Sequence, residues 1–311
     1  MILFFFSLRI GFGGDVNMGR QLGKMMLEDT TIYPFSKLDS LMNTTDLNIV
    51  NLEGIISEQN GITQIGWERF VAPPIAVKSL KKAKIKIVSV GNNHAFDFGK
   101  DALINCFDIL KSNGIYWIGG GKDKIESFKS LIIEKNGVSC GIVGVTSVSN
   151  FLFRLEDSIM IARPEKDMIL KVLKIIDTCD YKIIFYHGDN EYNFEPSEKK
   201  INFARWCIDN GFDIFIGHHP HIIQPVERYK NGIIFYSLGN FVFRQNKEGT
   251  DKGLFLIFDF FEDSLDIKCF LIKADFFPEI INDYSYIIQK LSNYNNIEIK
   301  EDNAFFKIYF K

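Results

Sequence analysis

Short apolar runs alternate with helical patterns along this chain, and this alternation constrains the fold more than any other feature. Five runs of four to six residues are mainly apolar and partly β-branched, as buried strands tend to be. They are residues 8–12, 47–50, 85–90, 183–186 and 212–216. Helical spacing of apolar residues predicts helices over residues 101–112, 165–178 and 198–210. The alternation predicts an α/β fold with a substantial sheet.

The last third of the chain has a different pattern. Residues 233–236, 254–260 and 265–271 are predicted strands without long helices between them, which indicates a second, more antiparallel sheet. Residues 284–291 have a helix-like pattern, and residues 305–310 predict a last strand. No repeat, low-complexity tract or Pro/Ser-rich linker divides the 311 residues. We therefore expect one domain over residues 1–272, with residues 273–311 as a structural extension of the same unit.

Charge, cysteines and the N-terminal residues exclude several classes of protein. The net charge is -3, so nothing in the charge balance favours nucleic acid, and we expect no such partner. The five cysteines include no C-x-x-C pair, which predicts buried free thiols rather than a disulfide framework or zinc knuckle. Residues 1–8 are largely apolar, but Arg9 interrupts them well short of the roughly 20 residues that a membrane span needs. We expect no transmembrane segment in this chain.

Polar residues suited to chemistry follow each of the five runs. They are GGD at residues 13–15, NLE at 51–53, GNNH at 91–94, HGD at 187–189 and GHHPH at 217–221. All five histidines lie in these segments, and ligands bind at the carboxyl ends of strands in α/β sheets. Imidazole, carboxylate and amide oxygens together suit Zn, Mn or Fe. One such histidine would be ordinary; five of five predict the metal site of a hydrolase.

Six motifs in sequence order, between residues 10 and about 245, resemble a known family. They are GDVNMGR at residues 14–20, NLEG at 51–54, GNNHAFDFG at 91–99, HGDNEY at 187–192, GHHPHIIQPVE at 217–227 and YSLGNF at 236–241. This set resembles the bacterial capsule-synthesis proteins of the poly-γ-glutamate (CapA-like) group, which are similar to calcineurin-like metallophosphoesterases. The resemblance implies two facing mixed β-sheets flanked by helices, in a four-layer αββα sandwich. It also implies a cytoplasmic location, or one peripheral to the bacterial cell envelope.

The resemblance further implies one or two divalent ions, with Mn, Fe or Zn as candidates. The implied ligands are Asp15, Glu53, Asn93, His187, His219 and His221. Asp15 and His221 would bind a first ion, and Glu53 would bridge the two. The remaining three would bind the second ion.

Other site residues are carried over from the same motifs. His94 resembles the phosphoesterase histidine that protonates a leaving oxygen, and Asp97 would orient its imidazole or cap the helix at residues 101–112, two compatible roles. Arg20 would bind an anionic substrate group, with a surface ion pair as the alternative. Asn92 and His218 are also expected at the substrate, with direct metal contact as the alternative for His218. The residues expected to fix histidine tautomers are Glu191 and Glu227.

Three departures from the phosphoesterase pattern leave two functions open. Asn17 stands where those enzymes have the histidine of Asp-x-His, Glu53 replaces a bridging Asp, and residues 188–189 differ from the usual aromatic and glycine. The first hypothesis is a metal-dependent hydrolase in capsule or cell-surface polymer biosynthesis, with metal-bound water as nucleophile. Its substrate would be a phosphoester, or else an amide of a γ-glutamyl polymer. The alternative is a non-hydrolytic binding or assembly protein with a degenerate metal site; other capsule synthesis proteins are expected partners of either.

Overall fold

Two β-sheets packed face to face form the centre of the molecule. The computed structural model describes residues 8–58, 69–150, 160–262, 264–282, 299–302 and 305–309. The helices are α1 (Arg20–Glu28), α2 (Asp39–Met42), α3 (Ala76–Lys82), α4 (Gly99–Ser112), α5 (Lys124–Ser127), α6 (Lys166–Ile175) and α7 (Glu198–Asp209), with a 3-10 turn at Pro34–Lys37.

The strands divide between the two large sheets and one small one. They are β1 (Leu8–Val16), β2 (Leu47–Leu52), β3 (Ile55–Ile56), β4 (Val71–Ala72), β5 (Ile85–Ser89), β6 (Tyr116–Ile118), β7 (Leu131–Lys135), β8 (Val138–Thr146), β9 (Tyr181–His187), β10 (Ile214–His218), β11 (Val226–Tyr229), β12 (Gly232–Phe235), β13 (Asn240–Val242), β14 (Lys252–Phe260), β15 (Leu265–Lys273), β16 (Glu279–Ile280), β17 (Ile299–Asp302) and β18 (Phe305–Tyr309).

Both large sheets are mixed. The ten-stranded sheet has the order β17-β18-β15-β14-β1-β2-β5-β6, with β13 beside β1 and β16 beside β15. Its β1, β2, β5 and β6 are parallel, whereas β14 runs antiparallel to β1. The six-stranded sheet has the order β11-β12-β10-β9-β8-β7, in which β8, β9, β10 and β12 are parallel. The parallel strands of both sheets therefore present their carboxyl ends to one region.

Apolar side chains fill three layers between four layers of structure. Phe12 of β1 lies 6.0 Å, centroid to centroid, from Phe185 of β9 and 4.8 Å from Phe258 of β14, in the core between the sheets. Helices α1 to α4 cover the outer face of the ten-stranded sheet. Helices α6 and α7 cover the outer face of the six-stranded sheet. The four-layer αββα sandwich expected from the sequence is confirmed.

One sheet assignment from the sequence is wrong. The strands predicted at residues 254–260 and 265–271 do not form a second antiparallel sheet, because β14 pairs with β1 from Leu8↔Phe260 to Gly13↔Phe255 and β15 follows it. These strands complete the first sheet. The second sheet is built instead around β8, β9 and β10, and the strand predicted at residues 233–236 corresponds to β12, parallel to β10.

The ends of the elements differ from the predicted ends in an informative way. Strands β1, β9 and β10 extend beyond their apolar runs to Val16, His187 and His218. Backbone pairing continues there although the side chains become polar, so several site residues stand on strands rather than in loops. Helix α6 is shorter than its predicted range of 165–178.

The C-terminal strands continue the ten-stranded sheet. Strand β18 pairs with β15, and β17 pairs with β18. The helix-like pattern at residues 284–291 lies outside the described residues. All five cysteines are buried free thiols, as predicted. In the part of the chain that the structure describes, no helix is long and apolar enough to cross a membrane.

Candidate metal centre

The five histidines lie together where the two sheets meet, beside buried carboxylates. His218 of β10 is paired in register with His187 of β9, and Asp15 of β1 with Asn51 of β2. His94 is the most exposed of the five histidines, at 7%. Both sheets thus contribute polar residues to one buried cluster, as the strand-end pattern predicts.

Two carboxylates in this cluster share one hydrogen-bond donor. The Asn51 amide nitrogen donates to Asp15 Oδ1 at 2.8 Å and to Glu53 Oε2 at 2.5 Å. Burial and the neighbouring charge of Asp15 raise the pKa of Glu53 well above its usual value. The Glu53 carboxyl group is therefore short of positive charge in its surroundings.

Asp15 also contacts two imidazoles. Its Oδ1 lies 3.2 Å from His218 Nδ1, and its Oδ2 lies 3.2 Å from His221 Nδ1. Burial works to raise the pKa of Asp15, but the two imidazoles outweigh burial and lower it well below its usual value. His221 Nδ1 is also 3.1 Å from Asn240 Oδ1. Asp15 and His221, predicted for the same ion, are therefore neighbours.

A second group surrounds Glu53. Ligand atoms of Glu53, His187 and His219 lie within 4.8 Å of one another, and His187 Nε2 is 2.8 Å from Asn93 Oδ1. The pKa of His187 is lowered well below its usual value by burial and by the nearby His219. Burial and the nearby His221 lower the pKa of His219 to about 3. Both rings are neutral at pH 7, which is the form that binds metals.

Unpaired buried atoms show that the cluster fits a cation. Within the described residues, buried polar atoms of this cluster lack hydrogen-bond partners, although such atoms are costly to leave unpaired. They are Glu53 Oε1, His218 Nε2, His219 Nδ1, Asn17 Nδ2 and Asp15 Oδ2, the last being 3.2 Å from His221 Nδ1 without the geometry of a hydrogen bond. Two carboxylate oxygens and two imidazole nitrogens among them are ligand types for Mn, Fe or Zn. The residues present therefore suit a divalent ion.

Asn17 is the exception in this set. Its Oδ1 accepts the Gly19 backbone N–H at 2.9 Å, so its unpaired atom is the amide nitrogen, a donor. An amide nitrogen has no lone pair for a metal ion. Asn17 therefore does not replace the histidine of the phosphoesterase pattern in this conformation.

His94 and Asp97 form a buried pair beside the carboxylates. His94 Nδ1 is 2.7 Å from Asp97 Oδ2, and His94 Nε2 is 3.7 Å from Glu53 Oε1. The ring stacks on Phe70, whose backbone N–H donates to Asp97 Oδ2 at 2.6 Å. Helix α4 begins at Gly99 without a side-chain cap, so the predicted helix-capping role of Asp97 is wrong. Asp97 contacts the imidazole instead.

The three predicted substrate-binding residues have different surroundings. The Arg20 guanidinium lies 5.4 Å from the centre of the Phe70 ring, and burial lowers its pKa. Asn92 is fully buried; it donates to Leu52 O at 2.7 Å and accepts the His94 backbone N–H at 3.0 Å. These two contacts hold two loops together, and substrate binding by Asn92 stays a prediction. Arg20 stays a prediction.

His218 lies among the carboxylates. It is buried, its Nδ1 is 3.2 Å from Asp15 Oδ1, and its ring stacks on Phe185 of the inter-sheet core at 5.5 Å. Its roles at the substrate or at a metal ion both stay predictions.

The two glutamates that are predicted to fix histidine tautomers lie in different surroundings. Glu227 accepts hydrogen bonds from Arg205 at 2.6 Å and from the Tyr236 hydroxyl at 2.5 Å, not from a histidine of the described chain, so that prediction is wrong. The exposed Glu191 places a carboxylate oxygen within 4.8 Å of ligand atoms of His219 and His221. Glu191 is thus close enough to the histidines to bind an ion with them.

Backbone strain is concentrated in the same loops. Eight described non-glycine residues have positive φ, a conformation that L-residues rarely adopt. Five of them lie in the site loops, namely Arg20 (φ 53°), Asp189 (101°), Tyr192 (62°), His219 (95°) and His221 (61°). Strained conformations cluster where structure is maintained for function, which supports this region as the functional site.

Three polar residues of the site were missed by the sequence reasoning. Asn51 is the first residue of the NLEG motif at residues 51–54, and this motif is the sequence signal for it. Asn150 follows β8, a strand that was not predicted because Gly141 and Gly144 interrupt its apolar pattern. Lys200 of α7 is buried, with its Nζ 3.2 Å from Gly188 O, and an apolar helix face gives no signal for a buried lysine.

Similar proteins were found by sequence. PGA biosynthesis protein CapA of Bacillus subtilis strain 168 is 29% identical over 243 residues, which is 76% of this chain and 64% of that protein. Capsule biosynthesis protein CapA of Bacillus anthracis is 27% identical over 242 residues, covering 75% and 59%. The match therefore spans less than two thirds of either relative.

Solved structures share the fold. Sulfate thiohydrolase SoxB of Thermus thermophilus superposes with a TM-score of 0.50 at 9% identity, over 84% of this chain and 47% of that one. A 5'-nucleotidase precursor, also of Thermus thermophilus, gives 0.49 at 13% identity, over 86% and 54%. The likeness to SoxB shows a shared fold.

The family is shown by its own sequence pattern. The bacterial capsule synthesis protein family PGA_cap matches residues 9–245, which include all the motifs described above. Because this match covers more than half of the chain, the protein belongs to the PGA_cap family of bacterial capsule synthesis proteins.

Proposed function

We propose that this protein is a divalent-metal-dependent hydrolase of phosphoesterase type that acts in the biosynthesis of a capsule or cell-surface polymer. One observation carries the proposal: buried carboxylates and neutral imidazoles from both sheets converge, with lone-pair atoms that no described residue satisfies. A bound ion would supply Lewis-acid chemistry and lower the pKa of a coordinated water.

The ligand set follows from proximity. Glu53, His187 and His219 would hold one ion, with Asn93 beside them. Asp15 and His221 would hold the second ion. Its remaining ligand would be Glu191, or Glu53 shared with the first ion.

His94 is proposed as the general acid. With Asp97 accepting the Nδ1–H, the second proton of the imidazolium form would be on Nε2, on the side of Glu53, and this is the proton that His94 would transfer. Stacking on Phe70 holds the ring plane. Arg20, above the same phenylalanine, would bind an anionic group of the substrate.

A phosphoester is the first substrate class that we propose, because its leaving oxygen suits an imidazole acid and its anionic phosphoryl oxygens suit an arginine. An amide of a γ-glutamyl polymer is the second, and only the names of the two CapA relatives support it. We propose other capsule synthesis proteins as partners on the same ground.

The test combines metal content with activity. Protein purified without chelator is analysed for transition metals, then assayed with added Mn against generic phosphomonoesters and phosphodiesters. We expect bound metal, measurable hydrolysis, loss of both with His219→Ala, and loss of hydrolysis alone with His94→Ala. Lys199→Ala, an exposed neighbour of the buried Lys200, is the control and should match wild type. Absence of metal in the wild-type protein contradicts the proposal.

A second candidate is a non-hydrolytic polymer-binding or assembly protein with a weakened site. Asn17 favours it, because its oxygen accepts the Gly19 N–H and its unpaired atom is the amide nitrogen, which is not a metal ligand. In that case the wild type and the His94→Ala variant are equally inactive towards every ester while polymer binding persists in both.

A further inference from the structure

Asn150 connects the histidine acid to a proposed metal ligand. Its amide nitrogen donates to Asp97 Oδ1 at 2.9 Å, and its amide oxygen accepts from Asn93 Nδ2 at 3.0 Å. Asn93 Oδ1 in turn is 2.8 Å from His187 Nε2. Two amides thus form a continuous chain between the Asp97 carboxylate and the metal centre.

The direction of this chain is set at Asp97. A carboxylate only accepts hydrogen bonds, and Asp97 Oδ2 is already occupied by the Phe70 N–H and by His94. The group that faces Asp97 Oδ1 must therefore be a donor, which orients the amino group of Asn150 towards it. The oxygen of Asn150 then faces Asn93.

The same logic orients Asn93. Because the Asn150 oxygen accepts, Asn93 must turn its amino group towards it and its oxygen towards His187. Only the oxygen of a carboxamide binds a metal ion, so an inverted Asn93 would place a non-ligand in the site.

The loop that carries Asn150 is itself tied to the site. Arg163 donates to Val148 O at 2.8 Å, and Thr146 Oγ1 donates to His187 O at 2.9 Å. The position of Asn150 is thereby coupled to the strand that carries His187.

We propose that Asn150 is a positioning residue that keeps the Asn93 amide oxygen directed at the metal centre, with its polarity dictated by Asp97. The inference rests on the proposed metal-binding function and adds a residue to it. Outer partners of this kind change metal affinity by roughly 10- to 100-fold when removed.

A double-mutant cycle tests the proposal by calorimetric titration of the metal-free protein with Mn²⁺. Asn150→Leu should weaken Mn²⁺ binding about tenfold or more, because Asn93 becomes free to invert. Aspartate has two equivalent oxygens and cannot be inverted, so in an Asn93→Asp background the Asn150→Leu change should cause no loss. Ser149→Ala, an exposed neighbour, is the control and should bind as wild type does.

The outcomes separate the two claims. Unchanged affinity of Asn150→Leu, or an equal loss in the Asn93→Asp background, overturns the inference while Mn²⁺ binding by the wild type leaves the proposed function standing. A wild type that binds no Mn²⁺ overturns both. If Asn150→Leu does not fold, as judged by its unfolding midpoint, Asn150→Ala is used in the same cycle with the same expectations.

Discussion

At the residue scale, the candidate metal centre contains more buried hydrogen-bond acceptors than donors. One amino group, that of Asn51, bridges Asp15 and Glu53, and the pKa values of these two carboxyl groups move in opposite directions. Two imidazoles stabilise Asp15 as an anion. Burial and the like charge of Asp15 both destabilise the ionised form of Glu53. A cation beside Glu53 would remove this imbalance.

Glu191 provides a prediction at this scale. Glu191→Gln keeps the size of the side chain but removes the charge within 4.8 Å of His219 and His221 ligand atoms. We expect Mn²⁺ affinity to fall roughly tenfold, measured by titration calorimetry. Glu195→Gln, an exposed glutamate on the same segment, is the matched control. Equal affinities for the two variants would show that Glu191 is no ligand.

Residue identities at the site were largely predictable, and their roles less so. The end of an apolar run marks where a strand leaves the core, which locates Asp15, His187 and His218 from sequence alone. What Asn92 and Glu227 contact depends on loops and helices distant in sequence, such as the α7 arginine that pairs with Glu227. No local pattern contains that information.

At the element scale, α7 does more than cover the six-stranded sheet. Its buried Lys200 donates to Gly188 O at 3.2 Å and to Gln224 Oε1 at 3.1 Å, joining the segments that follow β9 and β10. His187 is the last residue of β9, and His219 directly follows β10. The helix therefore holds together two parts of the candidate metal centre.

The titration of Lys200 gives a prediction with a definite sign. Burial lowers its pKa to about 7 from the ordinary 10.5. Between these values the unfolded state binds more protons than the folded state, so this group makes stability rise with pH from 7 towards 10.5. The slope approaches about 1.4 kcal/mol per pH unit. Urea denaturation of Lys200→Met across this window should lack that rise; parallel curves for wild type and variant would refute it.

The sequence predicts where most strands lie but not which strands pair with each other. The strand at Leu265–Lys273 was located correctly, but nothing in its own residues indicates that its neighbour β14 pairs with β1 at the other end of the chain. Strand β8 is not predicted, because two glycines interrupt its apolar stretch: Gly141 packs against the Ile176 side chain and Gly144 against the Gly119 backbone.

At the scale of the whole molecule, one core joins the sheets. Phe12 contacts Phe258 within its own sheet and Phe185 across the interface. Such a residue stabilises both the sheet and the docking of the sheets.

Phe12→Ala should therefore destabilise the protein by about 3–5 kcal/mol, from lost burial and the cavity left behind. Tyr116→Ala, at a side chain that is 61% exposed on β6, should change stability by less than about 0.5 kcal/mol. Urea denaturation of both variants provides the measurement. Comparable losses in the two would contradict the central role of the inter-sheet core.

The division of the centre between two sheets has a consequence for how the molecule assembles. Asp15, Glu53 and Asn93 are carried by the ten-stranded sheet and its loops, whereas His187, His219 and His221 are carried by the six-stranded sheet. Neither half holds the full proposed ligand set alone, so binding of an ion and docking of the sheets would form a single linked equilibrium. Such an ion would act as a reversible cross-link: it would be released when the layers separate, and it would resist their separation by a free energy that grows with the logarithm of its affinity.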